Sequence, residues 1–456
     1  MSDTIAAVAT GNQLSAIGIL RLSGDGAIAA VDKLFRAKNG VPMAQTEDRK
    51  LILGDLYGLG GAVIDSCLCT VSRGPNSYTG EDTAEFQCHG SPTVLRLAME
   101  ALSYLGVRQA LPGEFTKRAF LNGRMDLVGA EAVIDLIHAE TAAAAKNAAG
   151  QLGGAVSRKA AAVYETLTDM LAHFQAVVDY PDEDIAPVER TEELARLEAA
   201  ADTLQRLLDS FGRGRVLTAG VPAVILGRPN AGKSSLLNAL LGYERAIVTD
   251  IPGTTRDTIT ERLELGGVLL RLTDTAGLRE TEDAVERIGV ERARAAMAEA
   301  ELALVLVDPG DPEPEDWAIL RAVQDVPHIL VVLTKADLYP MEGAVISTDG
   351  LRVDELVSVS AKTGEGLRLL SEAVADLFPE SAAPAGEILT NARQADAVGR
   401  ALESLRAAHT ALAAGVAPDA ALTEVETAMA ALGELTGRTV REDVTERIFS
   451  RFCVGK

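Results

Sequence analysis

The stretch VPAVILGRPNAGKSSLLNALLG, residues 221–242, constrains the fold of this 456-residue chain more than any other. An apolar run leads into a glycine-rich loop that matches G-x-x-x-x-G-K-[ST] from Gly227 to Ser234, and a helical pattern follows. Backbone amides of such a loop cradle phosphates at the N-terminus of a helix, Lys233 reaches the terminal phosphates, and Ser234 binds Mg²⁺. The stretch therefore predicts an α/β domain that binds a nucleoside triphosphate.

Four further motifs follow in order and identify the base as guanine. They are PGTTRD, LLRLTDTAG, ILVVLTKAD and VSVSAKTGEG. The Asp337 carboxylate can accept hydrogen bonds from guanine N1 and N2, a donor pattern that adenine lacks. The predicted GTP-binding residues are Asn230, Ala231, Gly232, Lys233, Ser234, Ser235, Thr249, Asp250, Ile251, Pro252, Gly253, Thr254, Thr255, Asp274, Thr275, Ala276, Gly277, Lys335, Asp337, Ser360, Ala361 and Lys362.

Two residues narrow the predicted mechanism of hydrolysis. Leu278 follows DTAG, where many signalling GTPases have a glutamine that orients water. With Asn230 in the phosphate loop, the domain resembles GTPases that use a bound K⁺ in place of an arginine finger. That resemblance implies K⁺ ligands at Asn230, Thr249, Ile251 and Thr254, with Mg²⁺ at Ser234 and Thr255 and with Asp274 near the magnesium. Arg256 is the alternative source of positive charge.

Composition changes along the chain predict a multidomain protein. Residues 1–120 read as an α+β domain, and residues 216–378 as an α/β P-loop GTPase domain. Residues 121–215 and 379–456 are helical, with Thr191 as an expected N-cap of one helix. The simplest architecture is one discontinuous α-helical domain built from both flanks, with the GTPase domain inserted into it.

The net charge of −23, from 66 acidic and 43 basic residues, bears on partners and location. No segment has the basic excess typical of nucleic-acid binding, so any RNA contact must be local or shared with a partner. We expect no signal peptide and no membrane contact, and a cytoplasmic protein. The four cysteines form no disulfide framework and no pair with the spacing of a zinc site, and we expect Cys67 and Cys69 to be core residues.

Four other stretches carry a resemblance that covers essentially the whole chain. They are GILRLSG, GPNSYTGEDTAEFQCHGSP, LPGEFTKRAFLNGRMDLVGAEAVIDLI and the terminal FCVGK. Together they resemble the MnmE (TrmE) family of tRNA modification GTPases. The resemblance implies a homodimer formed through the N-terminal domain, and a flavoprotein partner, MnmG (GidA), that carries FAD. It also implies an aminomethyl or carboxymethylaminomethyl group installed on C5 of the wobble uridine of tRNA.

The resemblance also implies a tetrahydrofolate derivative, 5-formyl or 5,10-methylene, as the one-carbon donor bound by the N-terminal folate-binding-like domain. Carried onto this sequence, the folate contacts are Arg21, Glu81, Arg124 and Lys456, and Glu286 assists the attacking water. Simpler interpretations remain open: an outward strand residue for Arg21, a salt bridge at a helix start for Arg124, and a solvated helix face for Glu286.

Cys453, four residues from the C-terminus, has three interpretations. A prenylation box is disfavoured by the final lysine and by the absence of a polybasic stretch. A buried thiol packed as a small hydrophobe is the second. We favour a functional tip that brings Cys453 and Lys456 to the folate pocket, with Cys453 as a catalytic thiol.

Two departures and one alternative function qualify these expectations. TKAD replaces the usual NKxD, so Thr334 cannot donate an amide to guanine and base affinity is expected to be weaker. Arg124 stands where lysine is common in the family. The alternative is a ribosome-assembly GTPase, a nucleotide-controlled switch that binds RNA, which the acidic flanks disfavour.

Overall fold

The chain forms two compact units. In a computed structural model the described residues are 3–11, 13–179, 189–243, 260–273, 296–339, 350–379, 384–416, 418–439, 445, 448–450 and 452–455. The first unit comprises Met1–Ile134, Gln151–Ala201 and Arg400–Lys456. The second comprises Asp135–Gly150 and Asp202–Gly399. The division of the chain into four domains remains a prediction. Its ranges are 1–120, 121–215, 216–378 and 379–456.

The first unit contains a seven-stranded sheet of order β3-β4-β5-β6-β2-β1-β7. Its strands are β1 Ile5–Val8, β2 Ser15–Ser23, β3 Phe35–Ala37, β4 Ile52–Tyr57, β5 Val63–Ser72, β6 Thr83–Gly90 and β7 Arg108–Gln109. Neighbours are antiparallel except β1 and β7, which are parallel. Alternate residues of β6 are buried, with Phe86 fully enclosed, as the two-residue period of a strand with one core face requires.

Up to the phosphate loop the described helices are α1 Ala27–Leu34, α2 Pro92–Tyr104, α3 Glu114–Leu121, α4 Leu127–His138, α5 Ala142–Leu152, α6 Ala155–Asp179, α7 Arg190–Asp209 and α8 Phe211–Ala219, with a short 3₁₀ helix at Met43–Gln45. Helices α1 and α2 pack on the main core of that sheet, and Phe115 of α3 packs with Ile5 and Ala7 of β1. Helix α7 begins at Arg190, so Thr191 lies inside its first turn, and the N-cap prediction was wrong.

The second unit contains a six-stranded sheet of order β13-β12-β11-β8-β10-β9. Its strands are β8 Val221–Leu226, β9 Thr260–Leu265, β10 Val268–Thr273, β11 Leu302–Val307, β12 His328–Leu333 and β13 Glu355–Ser358. All pairs are parallel except the β9–β10 hairpin. Among the described residues the further helices are α9 Lys233–Tyr243, α10 Pro314–Ala322, α11 Leu367–Leu377, α12 Ala392–Ala413 and α13 Pro418–Thr436.

Strand β8 is the topological switch point of this sheet. The chain leaves β8 through α9 and later adds β10 on one side of it and β11 on the other. Ligands of open α/β sheets bind at the carboxyl ends of the strands where the strand order reverses in this way. The loop after β8 is the predicted phosphate loop, so the fold and the motif agree on the site.

The chain enters and leaves this α/β region at neighbouring points. Ser210, just before α8, accepts a hydrogen bond through Oγ from the Leu389 backbone N–H at 3.0 Å. Asn147, 1% exposed in α5, donates to the Ile388 carbonyl at 3.1 Å and accepts from the Gly386 N–H at 2.8 Å. This proximity of the two crossings is the geometry that an inserted domain requires. Among the described residues, no helix is long and apolar enough to cross a membrane.

Candidate functional site: a phosphate loop with a guanine pocket, and a buried arginine cluster

The phosphate loop has the backbone shape that phosphate binding requires. Asn230 and Gly232 have positive φ angles of 61° and 97°, so the loop turns sharply before α9 begins at Lys233. The Lys233 ammonium donates to the carbonyls of Gly227 at 2.6 Å and Arg228 at 2.7 Å. Burial lowers the pKa of Lys233. These contacts hold its charge over the loop, where an anionic ligand would face the helix N-terminus.

Residues from the ends of β12 and β13 meet at the predicted base site. The Asp337 Oδ1 atom accepts from Ser360 Oγ at 2.8 Å, and Lys362 Nζ lies 3.9 Å from Asp337 Oδ2. These contacts orient the carboxylate that would read guanine. Thr334 is buried, its hydroxyl is directed at the Val307 carbonyl, and it underlies Gly232 of the phosphate loop. It therefore supports the loop rather than the base.

The acidic loop between β11 and α10 forms ion pairs with Lys335, near the base site, and with Arg228 of the phosphate loop. Asp308 binds the Lys335 ammonium, which lowers the pKa of the Asp308 carboxyl against the opposing effect of its burial, and raises the pKa of Lys335. Both oxygens of Asp316 lie 3.1 Å from Arg228 Nε. Asp316 is 2% exposed and closes a capping box with Glu313 at the start of α10.

Several predicted residues of the nucleotide site lie outside the described residues. They are Thr249, Asp250, Ile251, Pro252, Gly253, Thr254, Thr255, Arg256, Asp274, Thr275, Ala276, Gly277, Leu278 and Glu286. Lys456 of the predicted folate site also lies outside them. The described part of the nucleotide site brings together the phosphate loop, Lys335, Asp337 and the Ser360–Lys362 segment.

In the first unit, Arg21 and Glu81 lie in a partly buried polar cluster. Arg21 Nε is 2.8 Å from Glu85 Oε1, and its guanidinium lies 5.5 Å from the Tyr78 ring centroid. Glu81 Oε2 accepts from Ser23 Oγ at 2.7 Å and from Arg118 at 2.9 Å. Only 21% of the Arg21 side chain is exposed, so it is not a simple outward strand residue.

Arg124 lies beside the loop that carries Glu81. A Cβ atom built on Gly80 would be 3.4 Å from Arg124 Cγ, and Asn122 Nδ2 donates to the Thr79 carbonyl at 2.7 Å. Gly80 has φ of 80°. A side chain at this position would therefore be strained and would collide with Asn122, whose Cβ would be 2.9 Å away. The glycine allows the loop to approach Asn122 and Arg124 closely.

The C-terminal tail packs against the first unit through residues on either side of Cys453. Phe449 and Phe452 are buried with Ala130 and Val133. The Cys453 carbonyl accepts from the Gly113 N–H at 3.3 Å, and Val454 forms a β-bridge with Pro112. Cys453 itself is exposed and has a free thiol, so it does not pack as a small hydrophobe. The phenylalanines dock the tail and leave the thiol accessible.

Arg118 was missed by the sequence analysis. Its side chain is 10% exposed and contacts Asp3, Glu81 and Glu114. Burial opposes its charge, yet the hydrogen bonds that its guanidinium donates to these carboxylates outweigh burial and raise the pKa of Arg118. The only sequence signal was Glu114 four residues earlier on the same helix, which predicts one of the three contacts. Arg228 was also missed, although an acidic run at 308–316 was visible.

Comparisons with known proteins agree with these features. The family model for the MnmE helical domain matches residues 127–453, and the model for the GTP-binding protein TrmE N-terminus matches residues 4–124. The tRNA modification GTPase MnmE of Symbiobacterium thermophilum is 44% identical over 457 residues, which cover 100% of this chain and 99% of the relative. The protein of the same name from Chloroflexus aurantiacus is 44% identical over 460 residues, with 100% of both chains covered.

A solved structure shares a smaller region. The G domain of the T. maritima FeoB iron transporter is 25% identical, covers 35% of this chain and 98% of its own, and has a TM-score of 0.27. That score is too low to support a conclusion. The family models and the full-length relatives are sufficient by themselves, and the chain belongs to the MnmE (TrmE) family.

Proposed function

We propose that this chain hydrolyses GTP as part of the enzyme system that modifies the wobble uridine of tRNA. The observation that carries the proposal is the 44% identity along the whole chain to relatives named tRNA modification GTPase MnmE. The phosphate loop and the Asp337–Ser360–Lys362 arrangement support the GTP-binding part. The product group is aminomethyl or carboxymethylaminomethyl at uridine C5.

Residues of the second unit bind and orient the nucleotide. Lys233 shifts its hydrogen bonds from the loop carbonyls to the β- and γ-phosphates, which compensates for the partial burial of its charge. The Asp337 carboxylate accepts two hydrogen bonds from guanine. Its Oδ1 atom also accepts one from the Ser360 hydroxyl, which keeps the carboxylate oriented. Glu286, outside the described residues, assists the attacking water. Leu278 cannot assist it, because its side chain has no polar atom.

The donor atoms at the loop fit hard cations. Asn230 and Ser234 are exposed and offer an amide oxygen and a hydroxyl, the oxygen ligands that such cations prefer. Ser234 would hold Mg²⁺ together with Thr255, and Asn230 would hold K⁺ together with Thr249, Ile251 and Thr254. When bound, these cations would supply positive charge that offsets the charge developing on the phosphate oxygens. Arg256 remains the alternative source of charge.

The polar cluster of the first unit supports a binding site for a tetrahydrofolate derivative. Arg21 is already paired with Glu85 and stacked near Tyr78, which fixes its guanidinium for a planar or anionic ligand. Glu81 is oriented by Ser23 and Arg118. Arg124 lies beside the Glu81 loop, and Lys456 would complete the set. The exposed Cys453 thiol, on a docked tail, is proposed to serve the one-carbon chemistry.

The proposed assembly is a cytoplasmic homodimer that works with the flavoprotein MnmG, which carries FAD. Most tRNA contacts would come from that partner, because this chain has a net charge of −23. A ribosome-assembly switch is the second candidate function, and the full-length family match disfavours it.

Two hydrolysis measurements test the nucleotide part. Turnover in K⁺ is expected to exceed turnover in Na⁺ at equal ionic strength, and equal rates would remove K⁺ from the mechanism.

Asp337→Asn is expected to move the preference from GTP to xanthosine triphosphate, because an amide can donate to the C2 carbonyl of xanthine. Unchanged preference for GTP would contradict the base assignment.

Calorimetry with 5-formyltetrahydrofolate on Arg21→Ala and Arg124→Ala tests the proposed folate site. Both variants are expected to bind the folate more weakly than the parent, and unchanged affinity in both would overturn the assignment.

A further inference from the structure

Three side chains able to bind a metal converge on the neighbouring strands β5 and β6 of the N-terminal sheet. The Asp65 carboxylate and the thiols of Cys67 and Cys88 have ligand atoms that all lie within 4.8 Å of one another. The two cysteines are 4% and 2% exposed. The nucleotide and folate chemistry uses none of these residues.

Strand register explains the convergence. Cys69 lies opposite Phe86 on the antiparallel strands β5 and β6, so two residues further along Cys67 lies opposite Cys88. Asp65 precedes Cys67 by two residues and therefore shares its face of β5. Cys67 and Cys88 are separated by 20 residues in the sequence, so the pair does not have the short spacing typical of a zinc site.

The carboxylate is oriented by a neighbouring histidine. Asp65 Oδ1 is 2.7 Å from His89 Nδ1, and Asp65 Oδ2 accepts from the His89 backbone N–H at 2.8 Å. The Asp65 side chain is 8% exposed, whereas that of His89 is 75% exposed. A carboxylate that binds a metal is commonly held by a second hydrogen-bonding partner, and His89 is placed to be that partner.

Packing around the two thiols also suits a metal site, because both lie on the core face of the sheet and are almost fully enclosed. A divalent cation would bind both thiolates and the carboxylate and neutralise their charge. Glycines flank the pair on the adjacent strands, Gly54 opposite Cys67 and Gly18 opposite Cys88, and Phe35 and Leu95 lie over them. These apolar side chains shield the cluster.

We propose that Asp65, Cys67 and Cys88 bind a thiophilic divalent cation of the Zn²⁺ class, with His89 as the support of Asp65. Two sulfur ligands and one carboxylate suit Zn²⁺ rather than Mg²⁺ or Ca²⁺, which take oxygen ligands. Metal binding releases the two thiol protons and changes no oxidation state. The ion would tie β5 to β6 at the end of the sheet.

Cobalt(II) is the probe, added to the reduced full-length chain after treatment with a chelator. One Co²⁺ per chain is expected to give a near-ultraviolet sulfur-to-cobalt absorption, which added Zn²⁺ abolishes. Cys67→Ser and Cys88→Ser are expected to lose the absorption. Cys69→Ser is the matched control, because Cys69 is buried on the same face of β5, two residues from Cys67; together with Cys453→Ser it is expected to keep the absorption.

Two variants preserve the core and keep the test decisive if a serine variant fails to fold. Asp65→Asn and His89→Ala are expected to keep the native circular dichroism and to weaken Co²⁺ binding at least about tenfold, the usual effect of losing a ligand or its support. The proposal is overturned if the parent gives no sulfur-to-cobalt absorption or if Cys67→Ser and Cys88→Ser retain it. A Cys67–Cys88 disulfide in protein purified without oxygen would also overturn it.

Discussion

Arg228 connects the phosphate loop to helix α10 through a single buried carboxylate. Its guanidinium is 12% exposed and lies against Asp316, with Glu313 at 3.2 Å as a second partner. Asp316 cannot move freely, because it also accepts from the Glu313 backbone N–H at 3.0 Å. The pair therefore fixes the first turn of the loop whose next residues cradle phosphate.

We expect Asp316→Asn to raise the KM for GTP about tenfold, equivalent to about 1.4 kcal/mol, with a smaller change in kcat. Loss of the charge removes the buried partner of Arg228, leaves it only exposed partners such as Glu313, and loosens the loop in the nucleotide-free state, so that binding has to restore the loop shape. Steady-state hydrolysis measures the split between KM and kcat. Glu315→Gln, an exposed neighbour in the same turn, is the control and is expected to match the parent. A parental KM in Asp316→Asn would show that the pair does not position the loop.

For individual residues, the sequence predicted contacts between adjacent elements well and contacts between distant parts of the chain poorly. Asp337 and Ser360 meet because they follow adjacent parallel strands, and the strand–helix alternation was readable. Arg118 and Glu81 are 37 residues apart and meet only after the sheet and α3 have packed. Cys67 and Cys88 meet only in one strand register. No pattern in the sequence specifies these long-range pairs, and they depend on tertiary packing.

The turn of the β9–β10 hairpin requires two consecutive residues with positive φ angles. Gly266 and Gly267 have φ of 62° and 77°, the type I′ combination that matches the twist of a two-residue hairpin. In the sequence, residues 260–273 lie between the PGTTRD motif and the DTAG residues of the next motif. The two glycines differ in surroundings: a Cβ on Gly266 would be 2.3 Å from the Ser371 carbonyl oxygen, whereas one on Gly267 meets nothing within 4 Å.

This difference gives a paired prediction. Gly267→Ala is expected to destabilise the second unit by about 1 kcal/mol, the cost of placing an L-residue at positive φ. Gly266→Ala adds the collision with α11 and is expected to cost about 2 to 3 kcal/mol. Urea unfolding followed by fluorescence measures both, since the only tryptophan of the chain, Trp317, lies in this unit. Equal losses would mean that the contact with Ser371 is relieved without cost.

Not every element could be predicted from the sequence. The glycine pair and its flanking apolar alternation specify the hairpin locally. Helix α7 was predicted, but its start was not, because Thr191 was taken as a cap where the helix already begins at Arg190. Helix boundaries depend on which backbone groups find partners, and the Glu189 carbonyl accepts the Glu192 and Glu193 amides here.

At the scale of the molecule, one asparagine links parts of the chain 241 residues apart. Asn147 bonds the Ile388 carbonyl and the Gly386 amide, next to the Ser210–Leu389 contact. These bonds hold together the segments that precede and follow the α/β region. The inserted arrangement remains a prediction, and these buried polar contacts are consistent with it.

Asn147→Ala is expected to cost about 3 kcal/mol of unfolding free energy, because it leaves buried backbone groups of residues 386 and 388 without partners. Urea unfolding of the full chain, followed by circular dichroism and Trp317 fluorescence, measures the loss. Lys146→Ala, exposed on the same helix, is the control with little expected change. If Asn147→Ala has the same unfolding free energy as the parent, contacts other than those of Asn147 hold together the segments before and after the α/β region.

The central claim is that GTP hydrolysis by this chain serves modification of the wobble uridine. It is tested most directly by mass spectrometry of tRNA nucleosides from a bacterial strain that lacks its own member of the family. The parent chain is expected to restore the aminomethyl-type modification, and Lys233→Ala, expressed at the same level, is expected to leave the uridine unmodified. Unmodified uridine in cells that contain the parent chain together with its host flavoprotein partner, or full modification by Lys233→Ala, would contradict the account.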